Sequence, residues 1–433
     1  MREIASWPRP EVPKLPGKND PIGIFDGRFG EVRQSDNGET ATLYVCGITP
    51  YDATHLGHAA TYIAFDTLQR AWLDAGLQVR TAQNVTDVDD PLFERANATG
   101  ADWRALAKAQ TDLFRADMTA LRVIPPDHYV RVQDAVDEIA SAVAALIERD
   151  LAYDVPIDEN ADPKPVDENA RDIYFDLERA QRLPGVLQTM DVSRFEPIDL
   201  EYVFREFGGD PDRPGKRGRL DPLLWRAARQ GEPAWETSVG LGRPGWHIEC
   251  ACIANGTLGE TVTVQGGGRD LTFPHHEMSA QHASALTGKP FARTFLHAGL
   301  IAYRGEKMSK SLGNLVLVSK LVEAGVDPAA IRLAILSHRY SADWEWTDGG
   351  LATAAARLGV WRNALRRLRA GNAASAEVTG DADPSPTLTR MRAALANDLD
   401  TPAAIAAVDA WAENPSGQRD VPAAVDALLG IRL

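Results

Sequence analysis

The sequence predicts an α/β protein built on a doubly wound nucleotide-binding fold, with a connective insertion and a helical carboxyl-terminal region. Three observations predict it. A β-rich run, Ala41 to Thr49 (ATLYVCGIT), leads into a segment from His55 to Gly76 that carries Ala60, Ile63, Ala64, Leu68 and Ala71 on one helical face. A second apolar run, Leu77 to Val85, ends in Thr86-Asp87-Val88-Asp89-Asp90, placing polar residues at the carboxyl end of a parallel strand, where such folds bind ligands. After a long interval the pattern resumes with Thr261 to Gln265, the glycines Gly266-Gly267-Gly268, a helix starting near Pro274 and a strand around Thr294 to Ile301.

The interval itself reads as an insertion. Trp103 to Asp150 has a helical pattern, with Ala135, Ile139, Val143 and Leu146 on one face, and Asp154 to Arg171 is a surface loop rich in Asp, Glu, Asn and Pro. Gly208 to Arg219 is a second loop, in which Lys216, Arg217 and Arg219 read as a solvated turn rather than a phosphate site. Beyond Asn314 the chain is helical, with Leu358, Trp361, Leu365 and Leu368 at core spacing, then a small-residue linker from Ala370 to Pro386 and a short helical tail. The expected division is 1–125 and 225–315 for the two halves of the catalytic domain, 126–224 for the insertion, 316–370 for a helical region and 371–433 for linker and tail.

Composition excludes several classes. Apolar residues at 44% and charged residues at 25% are ordinary globular values, and 433 residues allow two or three domains. The 46 Lys plus Arg against 61 Asp plus Glu give a net charge of −15, poor ground for wide binding to a polyanion. The three cysteines, an odd and sparse set, fit a reducing compartment rather than a disulfide framework. The first twenty residues carry prolines and charges instead of an apolar signal, and no segment approaches the ~20 apolar residues that span a bilayer, so a cytoplasmic protein without membrane partners is expected.

Two distant motifs carry the chemistry. His55-Leu56-Gly57-His58 opens the first helix, where unpaired N–H groups and the positive dipole end suit phosphate oxygens, and Gly57 lets a nucleotide approach the backbone. Lys307-Met308-Ser309-Lys310-Ser311 lies on a loop bounded by Gly305 and Gly313 that can close over a leaving pyrophosphate. Either motif alone is weak; together they point to adenylate-forming chemistry. His55, His58, Lys307 and Lys310 are the expected catalytic residues, with Gly57, Gly266, Gly267, Gly268 and Ser309 joining the two lysines at the nucleotide.

Cys46, Cys250 and His275, from separate segments, make a reasonable tetrahedral zinc set with one position left for substrate. A cysteine substrate could fill that position with its thiolate, which serine's harder hydroxyl would do poorly. The alternatives are that both cysteines are small buried hydrophobes and that His276 is the nitrogen ligand. Cys252 is expected to point elsewhere. Thr49 and Thr86 are substrate-pocket candidates at strand ends.

With Cys46, His55 to His58, Asn84 to Asp90, Trp246 to Cys250, Gly266 to Glu277 and Lys307 to Asn314 in view, the chain resembles class I cysteinyl-tRNA synthetases from about Ala41 to Trp346. It is still more similar to the branch of that family that joins cysteine to glucosaminyl-inositol in mycothiol biosynthesis. The resemblance implies a class I synthetase-type Rossmann (HUP-like) domain. Three departures from the synthetases favour that branch. Ser279 stands where they have a zinc-binding Glu, and only 47 residues follow Pro386, too few for both a helical bundle and a separate anticodon-reading module. From Val316 onward 12 Lys plus Arg face 14 Asp plus Glu, which gives tRNA little electrostatic footing.

By this resemblance Cys46, Cys250 and His275 would hold one zinc per chain, while Thr86, Trp246 and Asp270 would surround the amino group of bound cysteine. The implied reaction is activation of L-cysteine by Mg-ATP as cysteinyl adenylate, then capture by the amine of glucosaminyl-inositol, with no nucleic-acid partner. A monomer is the expectation for the oligomeric state. A truncated cysteinyl-tRNA synthetase and a non-catalytic cysteine or nucleotide sensor are the alternatives, distinguished by tRNA charging and by cysteine-dependent pyrophosphate exchange.

Overall fold

Short runs buried on both faces, such as Leu43 to Val45 and Ala82 to Val85, suit the interior of a parallel sheet covered by helices. They occupy that position in the computed structural model, which describes residues 1–433 except 36–37, 52, 159–160, 162, 195–196, 309–312, 372–382 and 416, and not the side chains of 197, 198, 307 and 371. The chain begins with a hairpin, β1 (Gly23–Asp26) and β2 (Glu31–Gln34), followed by β3 (Thr40–Val45), α1 (Leu56–Asp74), β4 (Gln78–Val85), α2 (Asp90–Thr99), α3 (Trp103–Ala120), β5 (His128–Arg131) and α4 (Val136–Glu148). Next come β6 (Ala152–Pro156), β7 (Arg171–Phe175), α5 (Leu177–Ala180), α6 (Pro197–Glu206), β8 (Leu223–Ala227), β9 (Gly242–Pro244) and α7 (Trp246–Leu258). The second catalytic half holds β10 (Val262–Gly268), α8 (Glu277–Thr287), β11 (Ala292–Ala298), β12 (Ile301–Tyr303) and β13 (Glu306–Lys307). The remainder is α9 (Val318–Glu323), α10 (Pro328–Leu336), β14 (Trp344–Glu345), α11 (Asp348–Gly371), α12 (Pro386–Ala396), α13 (Thr401–Glu413) and α14 (Val421–Leu429).

Five strands form one parallel sheet in the order β11-β10-β3-β4-β5. The order reverses at β3, whose neighbours are β4 on one side and the much later β10 on the other. A crevice opens there at the carboxyl ends, the usual ligand position in a doubly wound fold. A separate antiparallel sheet, β6-β7-β8-β9, forms the body of the insertion. Among the described residues no helix is long and apolar enough to cross a membrane.

Several sequence expectations shift. The stretch read as helical from Trp103 to Asp150 is broken by β5, the outer strand of the catalytic sheet, so a boundary between the two sheets falls after 131 rather than at 126. Likewise β8 and β9 belong to the insertion's sheet, carrying it to 244 rather than 224. The loop expected from Asp154 to Arg171 begins and ends inside paired strands, because Val155 is buried and Pro156 pairs with Arg171. The glycine run belongs to β10, and the helix expected from Pro274 starts as regular α-helix only at Glu277, after a short irregular helical stretch. The tail is three helices, whose Met391, Trp411 and Leu428 share a core with Leu68 and Trp72 of α1.

A buried ionic node fastens that tail to the nucleotide fold. Asp66 of α1 accepts from Arg70 Nε at 2.7 Å, from Arg332 of α10, and from the Ile124 backbone N–H at 2.7 Å. The two guanidiniums also donate to the carbonyls of Leu121, Arg122, Asp426, Ala427 and Leu429. Burial by itself raises the Asp66 carboxyl, but Arg332 and Arg70 overcome it and hold the group below its ordinary value.

Candidate active site

Each strand end delivers its chemistry from a different segment. Cys46 follows β3 directly and anchors its backbone N–H on the Gly266 carbonyl of β10 at 3.1 Å. Gly47 comes next, where a side chain would meet the Asn84 carbonyl at 1.7 Å, so only glycine lets β3 and β4 exit so close together. Asn84 then braces the exit, its Oδ1 accepting from Gly47 N–H at 2.8 Å and Tyr44 hydroxyl at 3.1 Å while its amide donates to Thr86 Oγ1 at 2.8 Å.

Above these ends lies a cavity of about 390 Å³. Cys46, Thr49, His55, Gly57, His58, Thr86, Trp246, Cys250, Gly268, Asp270 and His275 all line it. So do Tyr51, Thr61, Tyr62, Ile301 and Met308, which the sequence reading did not single out. For Thr61 a signal existed: it lies one helical turn after Gly57 and Oγ1 donates to the Gly57 carbonyl. Met308 is the described side chain by which the lysine-rich motif reaches the cavity, being buried in its wall. The side chain of Lys307, with Ser309, Lys310 and Ser311, lies outside the described residues.

Gly266 and Gly267 are not among the cavity-lining residues. A side chain on Gly266 would strike the Phe65 ring at 2.2 Å and one on Gly267 the His276 imidazole at 2.7 Å, so helix packing accounts for both glycines. Gly268 alone of the three reaches the cavity.

At the mouth of α1, His55 is the N-cap, its Nδ1 accepting from Gly57 N–H at 3.0 Å, and its ring stacks on His58 with centroids 3.9 Å apart. Burial lowers His58 to about 4, so this imidazole is neutral at physiological pH.

Cys46, Cys250 and His275 are buried, and their ligand atoms lie within 4.8 Å of one another, the one metal-capable cluster among the described residues. The two sulfurs are 3.9 Å apart and His275 Nε2 is 3.2 Å from Cys250 Sγ. Trp246, the first residue of α7, stacks on the His275 ring at 4.2 Å between centroids. His275 Nδ1 faces His247 Nδ1 at 3.1 Å, an outer contact that leaves Nε2 for the cluster. Burial, reinforced by the neighbouring Cys46 thiol, pushes the Cys250 thiol well above its usual range, and burial holds His275 well below its own. Two thiols and a neutral imidazole brought together out of water are a donor set that a soft dication would convert to its ligating form.

The competing residues point elsewhere. His276 Nδ1 meets His297 Nε2 at 2.8 Å, outside the cluster. Cys252 is buried nearby with its thiol pushed up to about 12 by burial. Ser279 is buried, and its hydroxyl has no hydrogen-bond partner among the described residues. Glu249, beside Cys250, is wholly buried, and burial pushes its carboxyl well above the ordinary carboxylate range. In the insertion, Lys216 pairs with Asp210, Arg217 with Asp176, and Arg219 with Glu201 and Asp212. The Lys216 side chain is only 2% exposed, so that residue is a structural cation rather than part of a solvated turn.

Comparison with known proteins gives a consistent picture. Residues 32–356 match the family described as tRNA synthetases class I (C) catalytic domain. A protein of Clavibacter michiganensis subsp. michiganensis named L-cysteine:1D-myo-inositol 2-amino-2-deoxy-alpha-D-glucopyranoside ligase is 55% identical over 435 residues, covering 99% of each chain. A protein of the same name from Streptomyces avermitilis is 51% identical over 439 residues, covering 99% of this chain and 100% of its own. Among solved structures, Mycobacterium tuberculosis methionyl-tRNA synthetase in complex with methionyl-adenylate matches with a TM-score of 0.56 at 17% identity, over 90% of this chain and 88% of that one. The LeuRS of Agrobacterium radiobacter K84 matches with a TM-score of 0.59 at 13% identity, over 90% and 83%. At these identities the two structures speak for the fold alone.

Proposed function

The chain belongs to the class I (C) tRNA-synthetase catalytic family and, within it, to the L-cysteine:1D-myo-inositol 2-amino-2-deoxy-alpha-D-glucopyranoside ligases, and from that premise we propose how it works. It is an ATP-dependent, amide-forming ligase that activates L-cysteine and passes it to the amine of the amino sugar, a step of mycothiol biosynthesis. The observation that carries the site reading is the buried Cys46, Cys250 and His275 set opening on the same cavity as the amino terminus of α1.

In this reading Cys46, Cys250 and His275 hold one zinc ion per chain. Bound there, zinc supplies a soft Lewis acid that prefers a thiolate to a hydroxyl. Thr86, Trp246 and Asp270 receive the ammonium of cysteine, Asp270 with charge and Trp246 with a π face. Its carboxylate oxygen bonds to the α-phosphorus of Mg-ATP while the bond to the β-phosphate oxygen breaks and pyrophosphate leaves. His55 and the neutral N–H of His58 meet the phosphate oxygens at the helix amino terminus, to which Gly57, lacking a side chain, allows close approach. Lys307, Ser309 and Lys310 close over the departing charge. The amine then bonds to the adenylate carbonyl carbon and AMP leaves.

We place 1–131 and 245–315 in the catalytic domain and 132–244 in the insertion, following the two sheets. Supplied with ATP, L-cysteine and the amino sugar, the protein is expected to form AMP and a cysteinyl amino sugar in equal amounts. Charging of tRNA without that product would instead favour a truncated synthetase.

Lys310→Ala is expected to retain zinc and to slow adenylation on the order of 100-fold, the usual loss when one transition-state donor is removed. Cysteine-dependent ATP–pyrophosphate exchange measures this. A normal rate would remove Lys310 from the proposed machinery.

A further inference from the structure

Asp89 lies just behind the cavity wall. It is the N-cap of α2, with Oδ1 accepting from Asp90 N–H at 2.9 Å, and Oδ2 accepts from Thr49 Oγ1 at 2.9 Å. Thr49 in turn lines the cavity together with Cys46, Thr86 and Trp246. A hydroxyl has one proton to give. With that proton committed to Asp89, Thr49 offers the cavity lone pairs only. It can accept from an amine N–H, whereas a phosphate or carboxylate oxygen would find no donor.

The charged surroundings of Asp89 come from three elements: Asp90 on α2, Arg243 on β9 and Glu249 on α7. Burial opposes its charge most and Asp90 adds to the effect, while the Thr49 hydrogen bond and Arg243 counter it, and the balance raises the carboxyl to about 6. Such a group is still largely ionised at neutral pH, yet basic enough to take a proton.

Resting on the function proposed above, we propose that Asp89, acting through Thr49, orients the attacking amine of the amino sugar and is the final acceptor of its proton. As the nitrogen bonds to the adenylate carbonyl carbon, the carbon–oxygen bond to AMP breaks and its electron pair leaves on the phosphate oxygen. The N–H proton passes to Thr49 Oγ1, and the hydroxyl's own proton passes to Asp89, which later returns it to water. Asp89 is a positioning residue for the second half-reaction and takes no part in the first.

The test uses the full-length zinc-loaded enzyme. Asp89→Asn keeps the helix cap and the shape, and it should leave cysteine-dependent pyrophosphate exchange within about twofold of the parent. Its kcat for transfer to the amino sugar should fall on the order of 100-fold, the scale of one lost acid–base group. Thr49→Val should lose transfer, Thr49→Ser should restore it, and the Thr49→Val/Asp89→Asn pair should be no worse than Thr49→Val. Equal losses of exchange and transfer, or unchanged transfer, would each overturn the proposal alone. A parent enzyme that makes no cysteinyl sugar would overturn the function on which it rests. Should Asp89→Asn fail to fold, the Thr49 series decides.

Discussion

Cys250→Ala or His275→Ala is expected to abolish zinc retention and cysteine activation together. Each residue supplies one of three donors whose ligand atoms lie within 4.8 Å of one another in a buried cluster. Removing an outer-shell partner of a metal site typically costs about 10–100-fold, so removing a ligand should cost on the order of 100-fold or more in metal affinity. The two alternatives the sequence offered are poorly placed: Ser279 brings only a hydroxyl, and His276 turns its Nδ1 to His297. Elemental analysis and cysteine-dependent exchange check the two effects in one preparation. Cys252→Ala is the control, since this buried thiol lies outside the cluster, and it should retain both. Stoichiometric zinc in either ligand variant would contradict the assignment.

Asp66→Ala should produce the largest loss of stability, about 3–5 kcal/mol by denaturant unfolding, because it strands the guanidiniums of Arg70 and Arg332 in the interior. Both arginine side chains and the Asp66 side chain are essentially unexposed. Replacing all three with apolar residues of similar volume should recover most of the loss, since no buried charge then remains. The same node makes an acid prediction. The folded carboxyl lies below its ordinary value of 3.8, so its contribution is fully present above that pH and is lost as pH falls through the depressed value. Acid unfolding of the parent should therefore release the tail helices from α1, seen as protease cleavage among 386–429. A cost below about 1 kcal/mol for Asp66→Ala, the range of an exposed ion pair, would contradict this account.

What was legible in the sequence follows from where its determinants lie. The β3–α1 and β4 units are written locally, as β-rich runs followed by a helix start, and Cys46, Thr49, His55, His58 and Thr86 at their ends could be named from pattern and residue type, whereas Tyr51 and Tyr62 beside them could not. The four-residue strand β5 carries too little pattern to separate it from the helices around it, although His128 to Arg131 pair squarely with Ala82 to Val85. The glycine run was visible, but its reason was not. Phe65 and His276 demand two of those glycines through contacts some 200 and 9 residues away in sequence. The Thr49–Asp89 hydrogen bond, across 40 residues, is likewise tertiary and has no local signature. Cys46, Cys250 and His275 were chosen by residue type, and only folding decides that His275 rather than His276 faces the sulfurs.

The most direct test of the central claim, that substrate sulfur docks on metal held by this cluster, is zinc K-edge absorption of the purified protein with and without a non-hydrolysable cysteinyl adenylate mimic. The account expects two sulfur neighbours from Cys46 and Cys250 in the free enzyme and a third when the mimic is bound. An unchanged sulfur count with the mimic in place, or a metal-free preparation that activates cysteine at full rate, would contradict it.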